Sequence, residues 1–115
     1  MSERLERCYE TAGRMFQDID LGLESPFPEG VGPVRLVHGQ PTLTVEPFVV
    51  YGHAWLEAGP LVFDTEKRVL LPKVLYYRFG QIDEGGCFYY DRATFRRMCL
   101  DHGHWGPWEG PKEAK

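Results

Sequence analysis

Thirteen glycines and nine prolines are spread through 115 residues. Each is a point where a regular element ends or bends. That density leaves no room for a large helical bundle and confines helix to the stretches without it. Two such stretches carry helical periodicity. Over residues 3–19, Leu5, Cys8, Ala12, Met15, Phe16 and Ile19 recur at three- and four-residue steps. Over 91–102, Phe95, Met98, Cys99 and His102 form a stripe, with Asp91 as N-cap and Gly103 where a C-terminal glycine belongs.

Residues 20–33 hold Pro26, Pro28, Pro33 and several glycines and read as a surface loop. The next stretch of chain is β-prone: Val34–His38, Thr42–Val45, Phe48–Tyr51 with Pro47 marking an edge or bulge, His53–Glu57, Leu61–Asp64 and Val69–Leu71. Pro72 opens a short helix over Lys73–Arg78, and Asp83-Glu84-Gly85-Gly86 is a turn. Cys87 falls in a strand just after it. The order helix, sheet, helix predicts a single α+β domain over 1–115: an N-terminal helix packed on an antiparallel sheet, with a C-terminal helix. Area scaling buries about two-thirds of the open chain's surface, enough to stand without disulfides or metal.

Charge and cysteine usage narrow the function classes. The net charge is −4 and the pI about 5.5. A basic nucleic-acid footprint is therefore absent, and Arg92, Arg96 and Arg97 are too few to create one. No apolar run approaches the ~20 residues that span a bilayer, so no membrane partner is expected. Three sparse cysteines and a charged N-terminus point to the cytoplasm. Cys99, His102 and His104 supply only three ligands with no partner cluster, which argues against zinc. No cofactor is expected.

The hairpin around Ala58-Gly59-Pro60 offers chemistry. A turn centred between Ala58 and Gly59 sets His53 directly opposite Asp64 on one face, at hydrogen-bonding separation. A carboxylate there fixes the imidazole tautomer and raises its basicity, as a general base requires. Cys8 is the candidate nucleophile, with Arg4 and Arg7 nearby to lower its pKa. Gln40 and the Cys8 backbone N–H are candidate oxyanion donors, and His38 and Trp55 candidate walls of a cleft. Each has a plainer reading. Cys8 lies on its helix's apolar stripe, Asp64 can cap the turn at Thr65-Glu66, and Trp55 can simply pack.

Several segments occur in a suggestive order: Cys8-Tyr9-Glu10-Thr11-Ala12-Gly13, Leu36-Val37-His38-Gly39, Gly52-His53-Ala54-Trp55-Leu56-Glu57, Val62-Phe63-Asp64, Tyr76-Tyr77-Arg78 and Gly103-His104-Trp105-Gly106-Pro107-Trp108. Together they resemble small bacterial and phage proteins with a reduced papain-like core, relatives of the NlpC/P60 and transglutaminase-like cysteine enzymes. The resemblance implies Cys8 as nucleophile at the opening of a helix, His53 as base and Asp64 as its orienter. It implies acyl transfer through a thioester on a protein or peptide substrate. This chain departs from the pattern in two places: its helix starts before Cys8, and Thr65 stands where relatives often carry proline. The alternative reading is a non-enzymatic accessory module with a vestigial triad, binding a protein partner through Trp105 and Trp108.

Overall fold

The structure, a computed structural model, describes residues 2–43, 49–50 and 52–108. The expected strand positions Thr44, Val45, Phe48 and Tyr51, the bulge at Pro47 and the polar tail after Trp108 lie outside the described residues. Helix α1 covers Ser2–Asp20, one residue longer at each end than its periodicity predicts. Strands β1 (Val34–Gly39), β2 (Thr42–Leu43), β3 (Val49–Val50), β4 (His53–Ala58), β5 (Leu61–Asp64) and β6 (Val69–Pro72) come next. Helix α2 (Lys73–Phe79), a 3-10 turn (Glu84–Gly86), strand β7 (Phe88–Tyr90) and helix α3 (Arg92–His102) complete the order. The fold is α+β, as the order of elements predicts. Among the described residues, no helix is long and apolar enough to cross a membrane.

Five strands form one antiparallel sheet in the order β6-β5-β4-β1-β7, and β2 pairs with β3 separately. Every residue of β4 is buried, because both faces of the sheet are covered. Alternation along β4 sorts its side chains. Ala54, Leu56 and Ala58 face α1 and α3, packing with Cys8, Ala12, Phe16, Leu36, Tyr90 and Phe95. Trp55 points the other way, to Val37 and Val62, under a cover that includes Tyr76 and Tyr77 of α2.

The caps behave as read. The Asp91 side chain accepts from the Thr94 N–H at 2.9 Å. Gly103 ends α3 in the left-handed region at φ 75°. Arg92 and Arg96, expected on a solvated face, both reach Asp20, with Arg96 Nη2 at 2.6 Å from Oδ2. They tie α3 to the end of α1.

The β4–β5 turn departs from expectation. Ala58 pairs with Leu61, so Gly59-Pro60 is the whole loop. The expected turn would have set Pro60 in the ladder opposite Glu57, where a residue without an N–H weakens the sheet. Gly59 takes φ 57°, and a Cβ there would stand 2.5 Å from the Val31 carbonyl oxygen. Both residues belong in the loop.

Gly39 marks another tight place. A Cβ on it would lie 2.5 Å from Trp55 Cη2 and 2.9 Å from Cys87 Sγ. Gly39→Ala is expected to cost about 1–3 kcal/mol through overpacking. The urea midpoint reads this, and an unchanged midpoint would refute the tight packing.

Candidate functional site

The hairpin register moves the His53–Asp64 pair without breaking it. Continued beyond Leu56–Phe63, the pairing sets Trp55 opposite Asp64 and His53 opposite Glu66. The expected direct opposition of His53 and Asp64 is therefore wrong. The displacement is two residues along the partner strand, so the face is kept and the pair becomes diagonal. A diagonal separation is within reach of an imidazole and a carboxylate. His53 Nε2 lies 3.2 Å from Asp64 Oδ2, and both side chains are buried.

Asp64 has two jobs, one per oxygen. Oδ1 accepts the N–H groups of Glu66 at 3.0 Å and Lys67 at 2.9 Å, which caps the β5–β6 turn. Oδ2 takes His53 and the Tyr76 hydroxyl, the latter at 2.6 Å. Burial alone would push the Asp64 carboxyl up. The hydrogen bonds from His53, Tyr76 and the Lys67 N–H outweigh it and hold the group well below the usual carboxylate range. The carboxylate accepts, so Nε2 carries the proton and Nδ1 is the proton-accepting nitrogen. Glu66 Oε1 stands 3.8 Å from that Nδ1.

Tyr76 and Glu66 carry no signal of this role in the sequence. Tyr76 comes from α2, and only the turn of the chain through Pro72 brings it over Asp64. Asp64→Ala is expected to cost about 3–5 kcal/mol, because it strands an imidazole, a hydroxyl and two backbone N–H groups. Tyr76→Phe removes one of those bonds and is expected to cost about 1.5–3 kcal/mol. Chemical denaturation of the two variants tests the ranking; equal losses would contradict it.

Cys8 lies on α1, 2% exposed, in the cluster that contains Ala54. Its sulfur takes a hydrogen bond from the Ala54 backbone, next to His53, and feels the carboxylates of Glu66 and Asp64. The thiol thus lies near the end of β4 that carries Ala54, within the electrostatic reach of both carboxylates. The expected lowering of the thiol pKa by Arg4 and Arg7 is not what governs it. Burial chiefly, and then the two carboxylates, push Cys8 up to about 12 against the opposing effect of the Ala54 N–H. Arg7 is exposed. Cys8 is also the seventh residue of a helix beginning at Ser2. The leftover N–H groups and the dipole effect belong to the first turn. The Cys8 N–H is thus committed within the helix and is no oxyanion donor.

The other candidates separate. Trp55 is fully buried; its Nε1 donates to Glu57 Oε2 at 2.9 Å, and its ring packs on Tyr76 and Tyr77. It is core. Glu57 itself is held by Arg35, Lys73 and the Tyr77 hydroxyl as well. His38, opposite Ala54 in the β1–β4 ladder, faces α1 and not His53. It is buried within 5.0 Å, ring to ring, of Tyr9, Tyr90 and Trp108, so it walls no open cleft. Neither of its ring nitrogens has a hydrogen-bond partner among the described residues. Gln40 is half-buried just beyond β1. Trp105 and Trp108, expected on an adhesive surface, fold inward: Trp105 covers Gly13 and Phe95, and Trp108 covers His38 and Tyr90.

A groove of about 510 Å³ runs between the end of α1 and α3, floored by Phe16, Phe95 and Trp105. None of Cys8, His53 and Asp64 lines it. Comparison with protein-family models, curated proteins and solved structures finds no match to this chain.

Proposed function

We propose that this chain is a cytoplasmic cysteine-dependent acyl-transfer enzyme with a papain-like arrangement, acting on a protein or peptide without a cofactor. The observation that carries the reading is His53 held through Nε2 by a buried Asp64, with Nδ1 as the basic nitrogen and the Cys8 sulfur on the adjacent Ala54 N–H. In this reading the Cys8 proton passes to His53 Nδ1. The imidazolium so formed has Asp64 Oδ2 3.2 Å from Nε2 and Glu66 Oε1 3.8 Å from Nδ1. The thiolate adds to the acyl carbon, the leaving amine takes the proton from His53, and a thioester remains on Cys8. Water resolves it in an amidase or peptidase, an amine in a transferase.

The high pKa of the buried thiol favours a second reading, a protein-binding module in which Cys8 is a core residue and the His53–Asp64 pair braces the hairpin. Iodoacetamide labelling against pH separates the two, with Cys87 and Cys99 as internal controls. The enzyme reading expects Cys8 to react near neutral pH and to slow about a hundredfold in His53→Ala, the size of a typical acid–base contribution. A Cys8 that stays inert until strongly alkaline pH, and that ignores His53→Ala, belongs to the second reading.

A further inference from the structure

We infer that the groove between the end of α1 and α3 binds a small organic anion, with its apolar body on the aromatic floor and its carboxylate or sulfonate head on Arg92 and Arg96. None of Cys8, His53 and Asp64 lines this groove, so the site is independent of the acyl-transfer reading. Its volume of about 510 Å³ falls within the range of about 300–1,000 Å³ that holds small ligands. Side chains four apart lie one above another on a helix. Arg92, Arg96 and Leu100 therefore form one ridge of α3, beside Phe95 and Cys99. Phe16, Phe95 and Trp105 make the floor, and Leu21 and Leu100 stand on the rim, 65% and 84% exposed. An apolar body laid in the groove takes water off floor and rim together, which is the favourable part of binding.

The charges at the mouth select an anion. The chain carries a net charge of −4, yet here two arginines face one carboxylate. Asp20, with its side chain only 9% exposed, holds one nitrogen of each, Arg92 Nε at Oδ1 and Arg96 Nη2 at Oδ2. Both guanidiniums are thus fixed in place while the arginine side chains stay exposed, so their remaining N–H groups are available to a second anion. Donors ordered in advance spare a ligand the cost of ordering them. A second copy of the chain suits the groove less well, because a twofold contact there sets arginine against arginine.

Anilinonaphthalene sulfonate and its sulfonate-free parent, phenylnaphthylamine, test this by fluorescence titration of the full chain. The two share one aromatic body and differ in the charged head. The sulfonate is expected to bind at a single site and about tenfold more tightly than the parent. Arg96→Gln leaves Asp20 with Arg92 and is expected to abolish that preference. Arg97→Gln makes the same change at an exposed position of the same helix outside the groove, and is expected to keep it. Leu100→Ser alters a side chain that the fold leaves in water, and is expected to weaken both probes about fivefold. Equal affinities in the native chain, or a preference that survives Arg96→Gln, would overturn the anion site. Binding of both probes untouched by Leu100→Ser would put them elsewhere and overturn it as well. So would a dimer in sedimentation velocity that Leu100→Ser dissociates, since a second copy would then be the occupant.

Discussion

Trp55→Ala is expected to cost about 3–5 kcal/mol, the range for emptying a large aromatic site. With a domain of this kind stable by only about 5–15 kcal/mol, the variant stands near the edge of folding. The indole fills the centre of the face opposite α1, between Val37, Val62, Tyr76 and Tyr77, with no exposed surface. Its Cη2 lies against Gly39, so the neighbouring strand cannot close the hole by turning a side chain into it. Its Nε1 also serves the fully buried Glu57 carboxylate. Trp55→Phe isolates that second contribution. It keeps most of the ring volume and removes a hydrogen bond to a charged group, for a loss of about 1.5–3 kcal/mol. Guanidinium titration of the two variants gives both values. A Trp55→Ala loss below that of Trp55→Phe would mean that the ring is not the keystone of this face.

His38→Phe is expected to remove the share of the fold's acid sensitivity that His38 contributes between about pH 6.5 and pH 3. Burial among Tyr9, Tyr90 and Trp108 pushes the His38 imidazole down to about 3. The unfolded chain binds that proton near 6.5. Folding therefore demands a neutral ring. The native state holds its full stability above about pH 6.5 and loses about 1.4 kcal/mol per unit as pH falls toward 3. Phenylalanine has nothing to protonate, suits an aromatic cage and removes two unpartnered nitrogens. Urea midpoints at about pH 7, 6, 5 and 4 should diverge between native and variant chains as the acid side is approached. Parallel curves would show that His38 finds a partner or solvent. The Asp64 carboxyl, held low, gives a separate limb in both chains. Its contribution is complete above about pH 4 and fades as pH falls below that.

Much of the architecture was legible in the residue order. Amphipathic spacing, Asp91 and Gly103 bounded the two long helices, because local periodicity and caps act within a turn or two of the chain. The pairing of an imidazole with a carboxylate across β4–β5 was also legible. Its register was not, although Pro60 carried the signal: a residue without an N–H belongs in the loop. The remaining site features depend on contacts between distant segments. Tyr76 reaches Asp64 from another element, and Glu66 meets His53 only once the register is known.

What the sequence alone determined is most of the elements, the antiparallel character of the sheet and the face shared by His53 and Asp64, since each follows from periodicity, turn chemistry and strand parity. The tertiary structure decided the state of each ionisable group. Cys8, His38 and Asp64 are all buried. Packing drives the Cys8 thiol up against the opposing Ala54 N–H, and the His38 ring down with no hydrogen-bond partner among the described residues. Hydrogen bonds hold the Asp64 carboxyl low, because four donors from three different stretches of chain converge on it. Solvation and convergence of that kind are properties of the assembled fold, and no spacing along the chain encodes them.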